Sequence, residues 1–182
     1  MHKTKILVLV DVQNDFIDGA LKNEDAIKVV PNIVKKAKEF NGDYVFVTRD
    51  THDENYLNTL EGKNLPFVHC VKGTDGWNIN SDLAKVLMDK DVREETCVLY
   101  FNKPTFGSYA LAEAIRAIPG ELDIEICGFC TDICVVSNAL LVKAAVYDRA
   151  KVKVLGDLCA GVTPESHEAA LNTMRMCQID VI

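Results

Sequence analysis

Three cysteines lie within eight residues of the stretch CGFCTDICVV, residues 127–136, which ends in an apolar run. Cysteines at this spacing could be a redox pair, a metal cluster, a site with one nucleophile, or inert core thiols. Cys127 belongs to an apolar strand-like run, and Cys130 lies in the turn after it. If a helix begins after Thr131, Cys134 falls in its first turn, where the helix dipole lowers a thiol pKa. Cys134 is therefore the predicted nucleophile, and the N–H groups of Cys130 and Cys134 could hold an oxyanion.

Two further candidates follow other apolar runs. Asp11 comes after the run ILVLV, and Lys103 comes two residues after the run at 96–101. Each has an ordinary alternative, since Asp11 could cap a loop and Lys103 could be a surface lysine. If their strands are parallel, however, both side chains meet Cys134 at one edge of the sheet. Asp11 could then accept the thiol proton, while Lys103 stabilises the thiolate or the carboxylate.

Short apolar runs alternate with segments of helical periodicity along the whole chain. Strands are predicted at 5–12, 44–50, 96–101, 122–129 and 152–158, with a short last strand at 179–182. Helices are predicted at 29–40, 81–90, 108–118, 131–148 and 163–176. Ser81 and Thr163 are the expected N-caps of two helices, and Pro31 is expected near the start of the first. This alternation predicts an α/β fold, a doubly wound three-layer α/β/α domain with a mostly parallel central sheet, over residues 1–182.

Composition excludes several classes of partner. The 182 residues carry a formal net charge of −7, which argues against nucleic acid or an anionic membrane as a partner. No apolar run approaches the roughly 20 residues of a membrane span, and we expect a cytoplasmic protein with reduced cysteines. The predicted helix at 131–148 is apolar nearly all round, so it is either central in the fold or part of a subunit interface, and we expect a homo-oligomer.

Three motifs carry a family resemblance. DVQNDF (11–16), NKPTFGSY (102–109) and GFCTDICV (128–135) closely resemble the isochorismatase-like cysteine hydrolases, which include the nicotinamidase-related amidases. The resemblance implies a catalytic triad and an oxyanion hole at a cis peptide between Phe129 and Cys130. The triad residues are Asp11, Lys103 and Cys134. Because members that hydrolyse isochorismate lack the cysteine, its presence here favours an amidase.

The resemblance also implies a reaction. A small-molecule amide would lose ammonia through a thioester on the cysteine. The substrate would be nicotinamide, which becomes nicotinate, or alternatively a carbamoyl or ureido compound. Phe16 and Phe129 are expected in the substrate pocket. Nicotinamidases commonly place a tryptophan before the later histidine of their metal site. Here that segment reads NLPFVHC, so Phe67 or Leu65 would supply the second apolar wall.

Finally, the resemblance implies one divalent metal ion beside the triad. The ligands carried over from the family are Asp50, His52 and His69. The missing histidine of the set would be replaced by Glu61, with Glu54 and Asn58 as alternatives. Carboxylates and imidazoles suit Zn²⁺, Mn²⁺ or Fe²⁺, although the histidines could also be ordinary loop residues.

Three other functions remain open from the sequence. A redox protein would use the CxxC spacing of Cys127 and Cys130, and mild oxidation would then link them. A cysteine-ligated metal cluster would lose its metal when Cys127 is replaced. A non-enzymatic scaffold of the same fold would retain these residues without turnover.

Overall fold

The protein is built on a six-stranded sheet. The computed structural model describes residues 3–93 and 96–182. The strand order is β3-β2-β1-β4-β5-β6, and all neighbouring pairs are parallel. The strands are β1 (Thr4–Val10), β2 (Tyr44–Asp50), β3 (Cys97–Lys103), β4 (Leu122–Phe129), β5 (Ala150–Ala160) and β6 (Asp180–Val181).

Helices connect the strands and cover the sheet. They are α1 (Asn14–Ile17), α2 (Glu24–Glu39), α3 (Leu60–Asn64), α4 (Ser81–Val92), α5 (Tyr109–Ala117), α6 (Val136–Val146) and α7 (Pro164–Met176). Helices α2 and α4 pack together, while α6 packs against both α5 and α7. The predicted doubly wound three-layer α/β/α fold is therefore confirmed. The single domain over 1–182 and the self-association of α6 stay predictions.

The central strands explain why the site residues converge. Residues 6–10 of β1 are fully buried between β2 and β4, as an apolar run without alternation predicts for a strand covered on both faces. In the strand register, Val10 lies opposite both Thr48 and Gly128, and Asp50 lies opposite Lys103. The carboxyl ends of β1 to β4 thus lie side by side at one edge of the sheet.

Several predicted boundaries are wrong in detail. Helix α2 begins at Glu24, five residues before the predicted start, because the Asn23 side chain caps it by accepting from the N–H groups of Asp25 and Ala26. Pro31 consequently lies inside the helix instead of near its start. Asn80 caps α4 in place of Ser81.

Two further segments matter for the site. The long connection at 51–79 contains a 3₁₀ turn, Tyr56–Asn58, and the short helix α3. The helix predicted at 131–148 opens with a π-helical turn, Thr131–Val135, before α6. Within the ranges that the structure describes, no helix is both long and apolar enough to cross a bilayer.

Candidate active site

The three predicted catalytic side chains meet in a buried contact chain. Lys103 Nζ lies 2.7 Å from Asp11 Oδ2 and 3.4 Å from Cys134 Sγ. All three side chains are buried, with Asp11 and Lys103 0% and 1% exposed. The lysine therefore bridges the carboxylate and the thiol, which arrive from the ends of β1 and β4 respectively.

Asp11 is held in place by its neighbour on β2. Its Oδ1 accepts a hydrogen bond of 2.7 Å from the Thr48 hydroxyl, and its own N–H donates to Thr48 O at 3.2 Å. Asp11 has a φ of 49°, a left-handed conformation that aspartate tolerates better than most residues. The carboxylate is thus fixed beyond the last strand residue, Val10, and turned towards Lys103.

Burial and charge set the proton distribution. Burial works against the charge of Lys103, but the carboxylates of Asp11 and Asp50 and the Cys134 sulfur raise its pKa above the ordinary lysine value. Burial also raises the pKa of Asp11, against the opposing charge of Lys103. The lysine is therefore firmly cationic, and Asp11 is a stronger base than an exposed aspartate.

The predicted lowering of the Cys134 pKa is wrong for the free enzyme. Burial and then the charge of Asp11 raise it well above the ordinary thiol value, although Lys103 pulls it down. The sequence argument considered only the helix dipole, whose effect is modest beside the desolvation of a thiolate. The titrations of Asp11 and Cys134 therefore influence each other, with Lys103 in contact with both groups.

The turn that carries Cys134, residues 129–135, starts at the predicted cis peptide, and we call it the nucleophile turn. The Phe129–Cys130 bond is cis, and the N–H groups of Ile133 and Val135 both donate to the Cys130 carbonyl. Asn138 Nδ2 donates to Cys134 O at 2.8 Å. Gly128 precedes this turn with a φ of 127°, and a Cβ there would lie 2.0 Å from Val10 O. Only glycine allows β4 to pass this close to β1.

The four predicted metal ligands also converge. Their ligand atoms all lie within 4.8 Å of one another, and the residues are Asp50, His52, Glu61 and His69. Asp50 Oδ2 lies 3.0 Å from His52 Nε2 and 3.3 Å from His69 Nε2, and Glu61 Oε1 lies 3.6 Å from His52 Nε2. Lys103 Nζ is 3.5 Å from Asp50 Oδ1. Lys103 therefore contacts both the catalytic residues and this set of four candidate ligands, which we call the metal group.

The chemistry of this donor set fits a divalent ion. Two imidazoles and two carboxylates suit a borderline transition metal. His69 Nδ1 is 2.7 Å from Phe67 O, so this nitrogen donates to the carbonyl and leaves Nε2 as the free ligand atom, as is usual for metal-binding histidines. Sequence reasoning offered Glu61, Glu54 and Asn58 for the fourth ligand. Glu61, whose side chain is 17% exposed, is the one that lies beside His52.

A cavity of about 800 Å³ opens onto both groups. Phe16, Cys130, Cys134 and residues of the metal group line it. The expectation that Phe129 also lines the pocket is wrong. Its side chain is fully buried in the hydrophobic core, because β4 alternates its side chains between the two faces of the sheet.

Comparison with known proteins identifies the family. The family model described as isochorismatase domain matches residues 5–182. The chain belongs to the isochorismatase family. It is therefore a hydrolase, as the motifs predicted.

Individual members of the family are similar over most or all of the chain. An uncharacterized isochorismatase family protein, PncA of Bacillus subtilis (strain 168), is 35% identical over 146 residues, which cover 75% of this chain and 76% of that relative. The nicotinamidase/pyrazinamidase of Mycobacterium tuberculosis is 27% identical over 195 residues and 98% of both chains. The crystal structure of a pyrazinamidase of Pyrococcus horikoshii in complex with zinc superposes with a TM-score of 0.75 at 28% identity, covering 98% of each chain.

Two polar residues of the motif DVQNDF bond to the backbone at or next to the metal ligands, and sequence reasoning missed both. Gln13 is fully buried; its Nε2 donates to Asp50 O at 2.9 Å, and its Oε1 accepts from Asp50 N at 2.7 Å. Asp15 Oδ2 accepts from Cys70 N at 2.7 Å, next to His69. The signal was present in DVQND, because polar residues that directly follow a buried strand need partners.

A second set of polar contacts anchors the nucleophile turn to α7. Thr131 Oγ1 lies 2.8 Å from His167 Nδ1. The Asp132 carboxylate accepts from the Ser166 hydroxyl and from Val162 N. His167 is half-buried against the turn that carries Cys134.

The side chains of the other cysteines are not part of the contact chain from Asp11 through Lys103 to Cys134. All seven are free, and Cys127 and Cys159 are buried, where desolvation raises the pKa of each. Cys127 and Cys130 therefore form no disulfide, and none of the groups that could hold a metal among the described residues is built on cysteines.

Proposed function

We propose that this hydrolase cleaves small carboxamides and releases ammonia, in the manner of a nicotinamidase. The single observation that carries the proposal is the buried contact chain from Asp11 through Lys103 to Cys134, which ends in the cavity beside the metal group. A nucleophile beside a base, with the base oriented by a third group, is the arrangement that covalent hydrolysis requires. The named amidase relatives agree with it.

In the first half of the reaction, Cys134 Sγ attacks the amide carbon as its proton passes to Asp11. We assign stabilisation of the oxyanion to the N–H groups of Cys130 and Cys134, which belong to the turn that carries the nucleophile. The tetrahedral intermediate then breaks its C–N bond, and Asp11 returns the proton to the leaving nitrogen. Ammonia departs, and the acyl group remains on sulfur as a thioester.

In the second half, water attacks the thioester carbon. Asp11 removes one water proton, and the C–S bond breaks to give the carboxylic acid and the Cys134 thiolate. The thiolate regains a proton from Asp11, so the cycle consumes one water for each ammonia released. Lys103 remains cationic throughout and compensates the negative charge as it moves between carboxylate and sulfur.

The cofactor in this proposal is one divalent metal ion, held by Asp50, His52, Glu61 and His69. When bound, such an ion would provide a positive charge and an open coordination position that can bind a substrate lone pair. Glu61 and His69 line the cavity, so a ligand there would lie between these residues and Cys134.

The alternative substrates, carbamoyl and ureido compounds, are less well matched. N-carbamoylsarcosine and ureidoacrylate both carry a carboxylate. Among the described residues that line the cavity, the only lysine or arginine is Lys22. Its ammonium is already 2.8 Å from Glu24. A neutral amide such as nicotinamide is therefore favoured.

Ammonia release from nicotinamide by zinc- or manganese-loaded protein tests the proposal. Cys134→Ala should lower the rate by about a thousandfold or more, while Cys159→Ala, which removes another buried thiol, should retain turnover. If a thioester forms, hydroxylamine should divert part of the product from acid to hydroxamate. Unchanged turnover in Cys134→Ala would refute the mechanism, and turnover of ureido acids but not nicotinamide would establish the alternative.

A further inference from the structure

The cavity is larger than a one-ring amide needs. Its volume is about 800 Å³, and pockets of roughly 300–1,000 Å³ typically enclose drug-sized molecules. Nicotinamide is a single ring with one carboxamide. With its amide beside Cys134, it would leave much of the cavity unfilled.

The remaining wall is apolar and open to solvent. The apolar side chains that line it beyond Phe16 and Ala20 are Leu21, Leu65, Phe67, Phe106, Ile133 and Val162. Of these, Phe67, Phe106 and Val162 are 57%, 43% and 60% exposed. Large apolar side chains gathered at a cavity mouth are a common mark of a ligand site. This wall is continuous with the catalytic centre, because Ile133 and Cys134 both line the cavity.

The charges around the cavity point the same way. A divalent ion would offset the carboxylates of Asp50 and Glu61. At the rim, Glu24 and Asp25 are each paired with a lysine at 2.8 Å, Lys22 and Lys28 respectively. A substituent that bears a carboxylate would therefore find no unpaired lysine or arginine among the described residues that line the cavity.

From this cavity we infer the substrate class: an uncharged aromatic carboxamide that carries an apolar group on the side of the ring remote from the amide. The apolar wall formed by Leu65, Phe67, Phe106 and Val162 is the subsite for that group. The inference rests on the proposed amidase function and extends it, because it states what the enzyme prefers over nicotinamide.

A series of pyridine-3-carboxamides tests it, with hydrogen, methyl, propyl or carboxylate at ring carbon 5. Binding to metal-loaded Cys134→Ala is measured by calorimetry, and kcat/KM is measured with the native enzyme. Burial of each added methylene should tighten binding by about twofold to fourfold, and kcat/KM should rise with it. The carboxylate compound should bind more weakly than nicotinamide.

Two neighbouring variants locate the subsite. Phe67→Ala, which removes a lining side chain, should abolish most of the gain from methyl to propyl. Val68→Ala truncates a neighbouring exposed residue that does not line the cavity, and it should leave the gain unchanged.

The outcomes separate the two proposals. Nicotinamide turnover without any gain along the alkyl series would overturn the subsite and leave the amidase function standing. No turnover of any amide would refute the amidase function, while the calorimetric series would still decide whether the apolar subsite exists. Tighter binding of the carboxylate compound than of nicotinamide would overturn the inferred substrate class.

Discussion

Replacing Lys103 by methionine should separate the stability of the buried ion pair from its catalytic role. Methionine retains most of the apolar stem but leaves the Asp11 carboxylate, which is 0% exposed, without the cation 2.7 Å away. Removing one partner of a buried pair typically costs about 3–5 kcal/mol, since an uncompensated charge remains. With an m-value of about 2 kcal/mol/M, the urea midpoint should fall by roughly 1.5–2.5 M.

The decisive comparison adds Asp11→Asn to the same protein. The double variant no longer carries the unpaired charge of Asp11, and Asp50 keeps its contacts with His52 and His69, so most of the lost free energy of unfolding should return. It should nevertheless release no ammonia, because it has no base. Lys153→Met is the matched control: its partner Asp123 is 2.6 Å away, but the two side chains are 22% and 30% exposed. That control should cost no more than about 1 kcal/mol.

Urea unfolding followed by circular dichroism at equal metal content measures all four proteins. The reasoning is refuted if the double variant is no more stable than Lys103→Met, or if Lys103→Met is as mild as Lys153→Met. Recovery of activity in the double variant would also contradict the role of Asp11 as base.

Three further predictions concern the metal group and the pH profile. Glu61→Gln should weaken zinc binding at least about tenfold in a competition titration with a chelator, whereas Glu54→Gln should not. Asp15→Asn, which loses an acceptor for Cys70 N beside His69, should weaken zinc binding by about 10–100-fold in the same titration. The pH profile of kcat/KM should be broad: the raised pKa of Asp11 places the acid limb above 3.8, and the raised pKa of Cys134 places the alkaline limb above the ordinary thiol value near 9. An alkaline limb at or below pH 8 would show that the pKa of the Cys134 thiol is not raised.

Much of the fold and of the candidate site could be predicted because both depend on local apolar patterns. The strands at 44–50 and 122–129 were predicted to the residue, since each run is bounded by polar residues or turns. Once the strands were parallel, Asp11, Lys103 and Cys134 had to share an edge. The start of α2 at Glu24 was harder to predict, because Asn23 caps the helix ahead of a first turn with little apolar periodicity.

The electrostatics could not be predicted in the same way. The pKa of Cys134 depends on how completely the thiol is desolvated and on the distance to Asp11, and neither quantity is a local property of the sequence. The helix dipole is local, so it was the only effect visible, and it gave the wrong direction. Gln13 and Asp15 raise a related difficulty, since their partners Asp50 and Cys70 lie 37 and 55 residues away.

Lys103 connects the two halves of the site, and the strand register explains how. It lies opposite Asp50 in the pairing of β2 with β3, so its ammonium reaches Asp50 Oδ1 at 3.5 Å as well as Asp11 Oδ2 at 2.7 Å. Because Asp50 also contacts His52 and His69, a change in charge at the metal group acts on Lys103 directly. Lys103 in turn contacts Cys134. A metal bound there would therefore be coupled to nucleophile protonation through one buried ammonium, and we expect the pH profile of kcat/KM to shift between metals of different Lewis acidity.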